Sequence, residues 1–522
     1  MNTTLRTHIA RSAAIAGIAI AGIGLAPRAE AASSIGDIVG NAQGATKGDY
    51  NGDGFADLAS IAKDGSISVV YGSVNGLSTT ASVSAQIWTA GSFGLGAGFN
   101  FNRAGTSGDF NGDGYTDLAA LGNNEIWVIN GSKTGLTCVG AQRYIPSFFF
   151  DNYGGNLPYN PILVPTLIAG DFDNDGIADL VVGGEHLSYG LRMATISVVF
   201  GNRTRLGMGR ARRTLDVPGF STGDEMSAAP NPYLRFGVGR IDGKAGDDLV
   251  IGTPREGLFY GSVRFVSGST TNGIDFANTR FLDQNSANVA DSNEIGDFFG
   301  GAIAVGDFNG DGFADVAVGS PGESVVSGTT TISGAGAVHL FKGSSTGIAA
   351  STLILQSMGS IAIPDMAVET NDAFGQTLAS ADFNGDGRAD LAIGSPGETV
   401  GAVVDAGAVT VVYGGTSGLS ATAGPGKQMW HYGSRAVSGD YFGCSLVGLD
   451  FGLNGTGTAR FADLAIGVRG RDYATIADSG FVQVFYGSAN GVGTSGNLPL
   501  SQSTAGMPST ATTSARFGTQ VF

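Results

Sequence analysis

The sequence predicts an all-β protein: a seven-bladed β-propeller of four-stranded blades with calcium-binding loops, filling residues 32–522. Two independent repeats predict it. One nonapeptide is written five times, as DYNGDGFAD from Asp49, DFNGDGYTD from Asp109, DFDNDGIAD from Asp171, DFNGDGFAD from Asp307 and DFNGDGRAD from Asp382. A turn of one type is written seven times, as YGSVNGL from Tyr71, NGSKTGL from Asn130, FGNRTRLG from Phe200, SGSTTNGI from Ser267, FKGSSTGI from Phe341, YGGTSGL from Tyr413 and YGSANGV from Tyr486. Units of about 60 to 75 residues are long enough for four strands each, and radial arrays of such units make propellers.

Along the chain, residues 1–31 come first. Arg6 and Arg11 precede the apolar run AAIAGIAIAGIGLA, and Ala29-Glu30-Ala31 is a small-x-small cleavage site, so a secretory signal peptide cut after Ala31 is expected. A spanning helix is not expected, since no second apolar segment of about 20 residues follows. The first three units carry the loops at 49, 109 and 171, and the fifth and sixth those at 307 and 382. Two damaged copies complete the count. FGVGRIDGKAGDDLVIGTP, residues 236–254, puts Arg240 and Lys244 where acids should stand; FGCSLVGLDFGLNGTGTARFADLAIG, from Phe442, keeps Asp450 and Asp463 but separates them. After each nonapeptide follows a short apolar run (LASI, LAAL, LVVG, VAVG, LAIG) that reads as a buried strand. Phe517-Gly518-Thr519-Gln520-Val521-Phe522 begins another repeat and stops. Two readings stand for it: a strand that closes the ring on the first blade, whose own leading strand around residues 41–47 is weak, or a truncated eighth repeat. Closure is preferred because it removes exposed strand edges.

Calcium takes oxygen ligands from alternate loop positions, a sharp glycine turn and one backbone carbonyl. Each nonapeptide supplies all three. The expected ligand sets are Asp49, Asn51, Asp53, Asp57 and the carbonyl of Phe55; Asp109, Asn111, Asp113, Asp117 and the carbonyl of Tyr115; Asp171, Asp173, Asp175, Asp179 and the carbonyl of Ile177; Asp307, Asn309, Asp311, Asp315 and the carbonyl of Phe313; and Asp382, Asn384, Asp386, Asp390 and the carbonyl of Arg388. An EF-hand would need a bidentate Glu at loop position twelve, which here is Ser60, Ala120, Val182, Val318 or Ile393, so the loops are flanked by strands and not by helices. The alternative is that the Asp and Asn side chains only satisfy their own turns. Several acids crowded into nine residues would repel one another without a cation.

FGGAIAVGDFNGDGFADVAVGSPGE (299–323) and FGQTLASADFNGDGRADLAIGSPGE (374–398) resemble the FG-GAP repeat of integrin α-subunit propellers, and the first three units resemble its bacterial variety, which lacks the Phe-Gly. The resemblance runs over about residues 40–522. It implies a propeller with calcium in its loops, and by itself no activity; with the export expected from residues 1–31, the chain reads as a secreted or cell-surface module of adhesion type.

The formal charge is −17, and loss of residues 1–31 removes three Arg and one Glu to leave −19, which five calcium ions would bring to −9. Such a surface lacks the basic footprint that nucleic acid needs. The cluster Arg203, Arg205, Arg210, Arg212 and Arg213 is the exception; it reads as a solvated loop before it reads as a grip on an anionic glycan. Cys138 and Cys444 fall in the second and seventh units, too far apart for the ~7 Å that a disulfide allows, so two free thiols are expected.

No catalytic residues are assigned. Gly343-Ser344-Ser345-Thr346-Gly347 matches the G-x-S-x-G nucleophile elbow formally but is one of the seven turns. His339, in GAVHLF, reads as a packed side chain, and no His spacing suits zinc. Similar repeats accompany the catalytic domain of glycosylphosphatidylinositol-specific phospholipase D, yet the chain length beyond the propeller leaves little room for such a domain. A contact surface is sought instead in RYIPSFFFDNYGGNLPYNP, an insertion carrying Tyr144, Phe148, Phe149, Phe150, Tyr153 and Tyr159. The reading is a monomeric, calcium-stabilised binding module for an extracellular protein or glycan, with a lectin-like glycan binder and an extracellular hydrolase as alternatives.

Overall fold

The computed structural model describes residues 48–62, 65–79, 83–96, 99, 101, 104–123, 125–144, 166–188, 191–203, 206–207, 210–217, 234–356, 367–453, 460–507 and 515–522. The expected signal peptide 1–31, the segment 41–47 and the aromatic insertion beyond Tyr144 lie outside them. Among the described residues there is no α-helix, and no helix is long and apolar enough to cross a membrane.

Seven antiparallel four-stranded sheets are arranged in chain order around a ring. Blade 5 shows the plan: Ala302–Gly306 is innermost, followed outward by Asp315–Ser320, Ala337–Phe341 and Ser351–Ile354. Burial explains the order. The inner strands are buried at every position, the outer one only at Ile354. A strand covered on both faces must be apolar throughout, as AIAVG, DVAVGS and AVHLF nearly are. Packing between blades needs close approach at small residues. A side-chain carbon at Gly105 would sit 2.3 Å from the Phe522 ring.

Phe-Gly dipeptides form the seams at the start of the inner strands. Phe299 pairs with Gly261 of blade 4, Phe374 with Gly336 of blade 5, and Phe517 with Gly480 of blade 7, all in parallel bridges. Phe517 thus opens an inner strand like its counterparts, and the strand it opens belongs to blade 1. Gln520–Val521 pairs with Leu58–Ile61 in the register Ser60 to Val521 and Ile61 to Gln520, taking the innermost place in that blade.

The four-strand plan leaves each blade with two kinds of end. Loops joining the first to the second strand, which include the nonapeptides of blades 2, 3, 5 and 6, share one face with the turns joining the third strand to the fourth, and the nonapeptide of blade 1 leads into that blade's second strand. Loops joining the second to the third strand, and those leading to the next blade, share the opposite face. Residues 145–165 join the outer strand Thr137–Tyr144 to the inner strand Thr166–Gly170.

Cys138 is exposed on the outer strand of blade 2 and Cys444 is buried in blade 7, both as free thiols. His339 is fully buried, its ring edge-on to Phe299 with centroids 4.9 Å apart and neither ring nitrogen hydrogen-bonded. Burial holds its pKa down at about 3. A group depressed in the folded state costs stability as pH falls below its unfolded value of about 6.5, where the unfolded chain takes up the proton first. His339→Leu should therefore gain roughly 2 kcal/mol on wild type between about pH 8 and pH 5. Urea unfolding at both pH values checks this; a difference that does not change with pH sinks it.

Candidate metal centres

Each nonapeptide folds as a chain of side-chain-capped turns. In blade 5, Asp307 Oδ1 accepts from the backbone N–H of Gly310 (2.7 Å) and Asp311 (3.1 Å), and Oδ2 from Gly312 (2.8 Å). Asn309 Oδ1 accepts from Asp311 N–H and Asp311 Oδ1 from Phe313 N–H. Asp49, Asp109 and Asp382 repeat this pattern, and Asp171 keeps the bonds to Asp175 and Gly176. Gly312 has φ +90°, a backbone that a side chain would strain.

The residue at position nine does something the spacing alone did not reveal. Asp315 Oδ2 accepts from Phe308 N–H (3.2 Å), and its Oδ1 reaches 28 residues along the chain to Gly343 N–H (2.9 Å), the glycine of the recurrent turn. The same double bond is made by Asp57 to Tyr50 and Gly72, Asp117 to Phe110 and Gly131, Asp179 to Phe172 and Gly201, and Asp390 to Phe383 and Gly414. The damaged copies keep it too, through Asp248 to Ile241 and Gly268, and Asp463 to Phe451 and Gly487. Position nine is therefore a pin between loop and turn in all seven blades, whatever else it binds. The signal was present in the sequence as the glycine that each turn shares.

Neighbouring loops are also tied together by backbone. The carbonyl of position one accepts from the residue before the next blade's pin: Asp49 from Thr116, Asp109 from Ala178, Asp171 from Asp247, Arg240 from Ala314, Asp307 from Ala389, Asp382 from Ala462, and Asp450 from Ala56, over 2.7 to 3.1 Å. The last of these joins blade 7 to blade 1.

The donor set fits a hard cation. In the third loop, oxygens of Asp171, Asp173 and Asp175 lie within 4.8 Å of one another, and the buried Asp173 Oδ1 has no hydrogen-bond partner. In the other four, Asn51, Asn111, Asn309 or Asn384 supplies a neutral oxygen in place of Asp173. Burial, together with the loop's other acids, pushes Asp117 and Asp390 up to about 8 and Asp315 to about 7, as expected of crowded carboxylates with no positive charge beside them. The damaged loops act as internal controls. In blade 4, Lys244 Nζ pairs with Asp242, which burial would raise but which the ammonium and Ser267 hydrogen bonds hold below the usual range. In blade 7, Arg460 Nη1 lies 3.0 Å from Asp450 Oδ2. Where the acid set is incomplete, a basic side chain of the same loop stands in for a cation. Two intact loops also touch arginine: Arg210 lies 3.3 Å from Asp173, and Arg388 lies 3.4 Å from Asp386 of its own loop.

Two members of the arginine cluster make such contacts, and Arg205 lies outside the described residues. Arg210 also donates to the Thr270 carbonyl, and Arg213 binds Asn272. Ser344, of the formal nucleophile elbow, donates to Gly347 O within a strand-to-strand turn.

A ring of seven four-stranded blades with acidic loops on one face defines a β-propeller with candidate cation centres. The FG-GAP repeat family matches residues 299–341 and 374–412, and the FG-GAP-like repeat family residues 109–182. The chain carries FG-GAP repeats, and its propeller is of the integrin-α-like kind. It is 34% identical over 178 residues to phosphatidylinositol-glycan-specific phospholipase D of Mus musculus, covering 32% of this chain and 19% of that protein. The Dictyostelium discoideum protein of the same name is 28% identical over 226 residues, 41% of this chain and 23% of its own length. Integrin alpha-5 of Xenopus laevis is 25% identical over 236 residues, 45% and 19% respectively. The chain thus spans about a fifth of the length of these relatives.

Proposed function

We propose that this protein is a secreted or cell-surface, calcium-stabilised propeller that acts as an adhesion or ligand-binding module and is not an enzyme. The Asp loops hold calcium for the fold, and the ligand binds on the opposite face. The observation that carries this reading is where apolar surface is left uncovered. Of the eight large apolar side chains exposed among the described residues, Leu258, Ile295, Val404 and Val437 belong to loops of that opposite face in blades 4 to 7. Arg471 stacks on Tyr432 and Arg469 on Tyr441 in the same region, and aromatic and arginine side chains are the usual anchors of interfaces. The insertion 145–165 departs from and returns to strand ends on that face as well.

A glycan ligand is the second reading, favoured by the similarity to phosphatidylinositol-glycan-specific phospholipases D. An extracellular hydrolase would use the same surface, with paired carboxylates as its requirement.

The purified chain should be screened in calcium against immobilised extracellular proteins and a glycan array that includes phosphatidylinositol-glycan. Binding that falls about tenfold or more in a Val404→Asp/Val437→Asp variant, but survives Tyr115→Ala on the Asp-loop face, is the expected result. Binding lost only with Tyr115 would place the ligand on the wrong face, and turnover of an ester or glycoside substrate would overturn the non-enzyme reading.

A further inference from the structure

The face opposite the Asp loops carries two acid clusters that belong to none of the nonapeptides. At the seam of blades 4 and 5, Glu294, Asp297 and Glu323 bring carboxylate oxygens within 4.8 Å of one another; at the seam of blades 5 and 6, Glu369, Asp372 and Glu398 do the same. Asp297, Glu323, Asp372 and Glu398 are 0 to 2% exposed. Like-charged groups in such positions are costly unless something positive joins them. The charges acting most on Glu323 and Glu398 are other carboxylates, and with burial as the larger cause they push the two up to about 9 and about 8.

A second observation points to a ligand. Gln284 and Gln356, 1 and 2% exposed, lie two residues beyond the outer strands of blades 4 and 5 and donate Nε2 to Glu323 and Glu398, while Oε1 of each is buried without a partner. Asp372 Oδ1, in the second cluster, is also buried and unpartnered, as is Oδ1 of Asp440 in blade 7. Four oxygen-bearing side chains therefore converge at the seam of blades 5 and 6, and five at the seam of blades 4 and 5, where the Asp291 carboxyl also hydrogen-bonds Glu323, and buried oxygens remain unsatisfied.

Blade 7 shows what the arrangement becomes when the charge is supplied internally. Its Asp440 matches Asp297 and Asp372: each accepts, through Oδ2, the backbone N–H three residues earlier, from Val437, Glu294 and Glu369. Each also accepts, through its main-chain carbonyl, the N–H of Gly470, Gly322 or Gly397. The residue after that glycine is Glu323 in blade 5, Glu398 in blade 6 and Arg471 in blade 7. Arg471 Nη1 lies 2.7 Å from Asp440 Oδ2. Where the guanidinium is present, two carboxylates have gone, since Val437 and Arg471 stand at the places of Glu294 and Glu323. This is the exchange seen on the other face, where Lys244 and Arg460 accompany the loss of acids.

We infer that Gln284, Glu294, Asp297 and Glu323, and likewise Gln356, Glu369, Asp372 and Glu398, each bind a hard divalent cation across a blade seam, in addition to any held by the Asp loops. An all-oxygen set of three carboxylates and an amide suits calcium better than magnesium, which gives up its water reluctantly. The ions would stitch blades 4, 5 and 6 together on the face opposite the Asp loops.

The test counts calcium on the purified full chain after chelation and dialysis into about 1 mM calcium, near the affinity range of extracellular sites. Glu323→Gln/Glu398→Gln should bind two ions fewer than wild type. Glu398→Arg should bind one fewer and, in chelator, melt no lower than wild type, because the guanidinium takes the ion's place as Arg471 does; it also covers the case in which the double variant fails to fold. An Asp307→Asn/Asp382→Asn variant in the same series reports the Asp loops separately. Unchanged counts in both Glu variants would overturn the seam sites and leave protons shared among the carboxylates, whatever the Asp-loop variant does. A lowered count in the Glu variants alone would support them even if the Asp loops proved to be metal-free.

Discussion

Removing residues 517–522 should abolish cooperative folding or lower the unfolding midpoint drastically. These six residues supply the inner strand of blade 1, and the ring has no other described strand to put there. Phe517, Val521 and Phe522 are 0 to 1% exposed. At about 1.5 to 3 kcal/mol for each buried side chain, their loss amounts to roughly 5 to 9 kcal/mol, comparable with the whole stability of many domains. Polar bonds go with them. Ala59 and Phe522 exchange backbone hydrogen bonds of 2.8 and 3.0 Å, and Gly518 O accepts from Ser445 Oγ in blade 7. The milder Phe522→Ala should cost ~3 to 5 kcal/mol by emptying the space against Gly105. Thermal unfolding followed by circular dichroism decides; a truncated chain that melts with wild type would mean that the first blade is completed some other way.

The second large effect separates the pin from the ion. Blade 7 has lost its cage but keeps Asp463, fully buried and accepting from Phe451 and Gly487, each at 2.8 Å. Asp463→Ala leaves the buried N–H of Phe451 and the partly buried N–H of Gly487 without acceptors, at up to about 1 to 3 kcal/mol each, so a loss of roughly 2 to 4 kcal/mol is expected even in excess chelator. Asp386→Ala, at position five of the sixth blade's loop, removes a candidate ligand whose backbone partner Arg388 is solvent-accessible. In chelator it should cost no more than about 0.5 kcal/mol, the usual range for a surface change. Denaturant unfolding of both variants tests the division; equal losses would mean that position nine has no special structural share.

Blade count, strand order and the placing of the loops were legible because the acidic nonapeptide and the glycine turn recur within one unit, and each strand's burial follows its apolar run. The pin was half visible. Asp315 and Gly343 both stand out in the sequence, but nothing local says that they touch across 28 residues. The seam clusters were less visible still. Glu323 and Glu398 sit in the quoted Gly-Ser-Pro-Gly-Glu runs, yet their acid partners Glu294 and Glu369 lie 29 residues earlier, on loops that reach the seam from the preceding blade. The rule connecting them emerges only when blade 7 is laid beside blades 5 and 6. Sequence repeats disclose what is alike within each unit; contacts between units need the ring.

The loop-to-loop backbone bonds carry a last consequence. Every blade offers the next the same carbonyl and receives the same amide, and no side chain takes part. Mutations can therefore erode one loop's acids without loosening its grip on its neighbours, as blades 4 and 7 illustrate. A blade is in this respect an exchangeable part: duplicating one, or opening the chain at a different seam and joining the old ends, would present every remaining joint with the partner it already has. The architecture permits rearrangement by whole units while each unit's surface varies on its own.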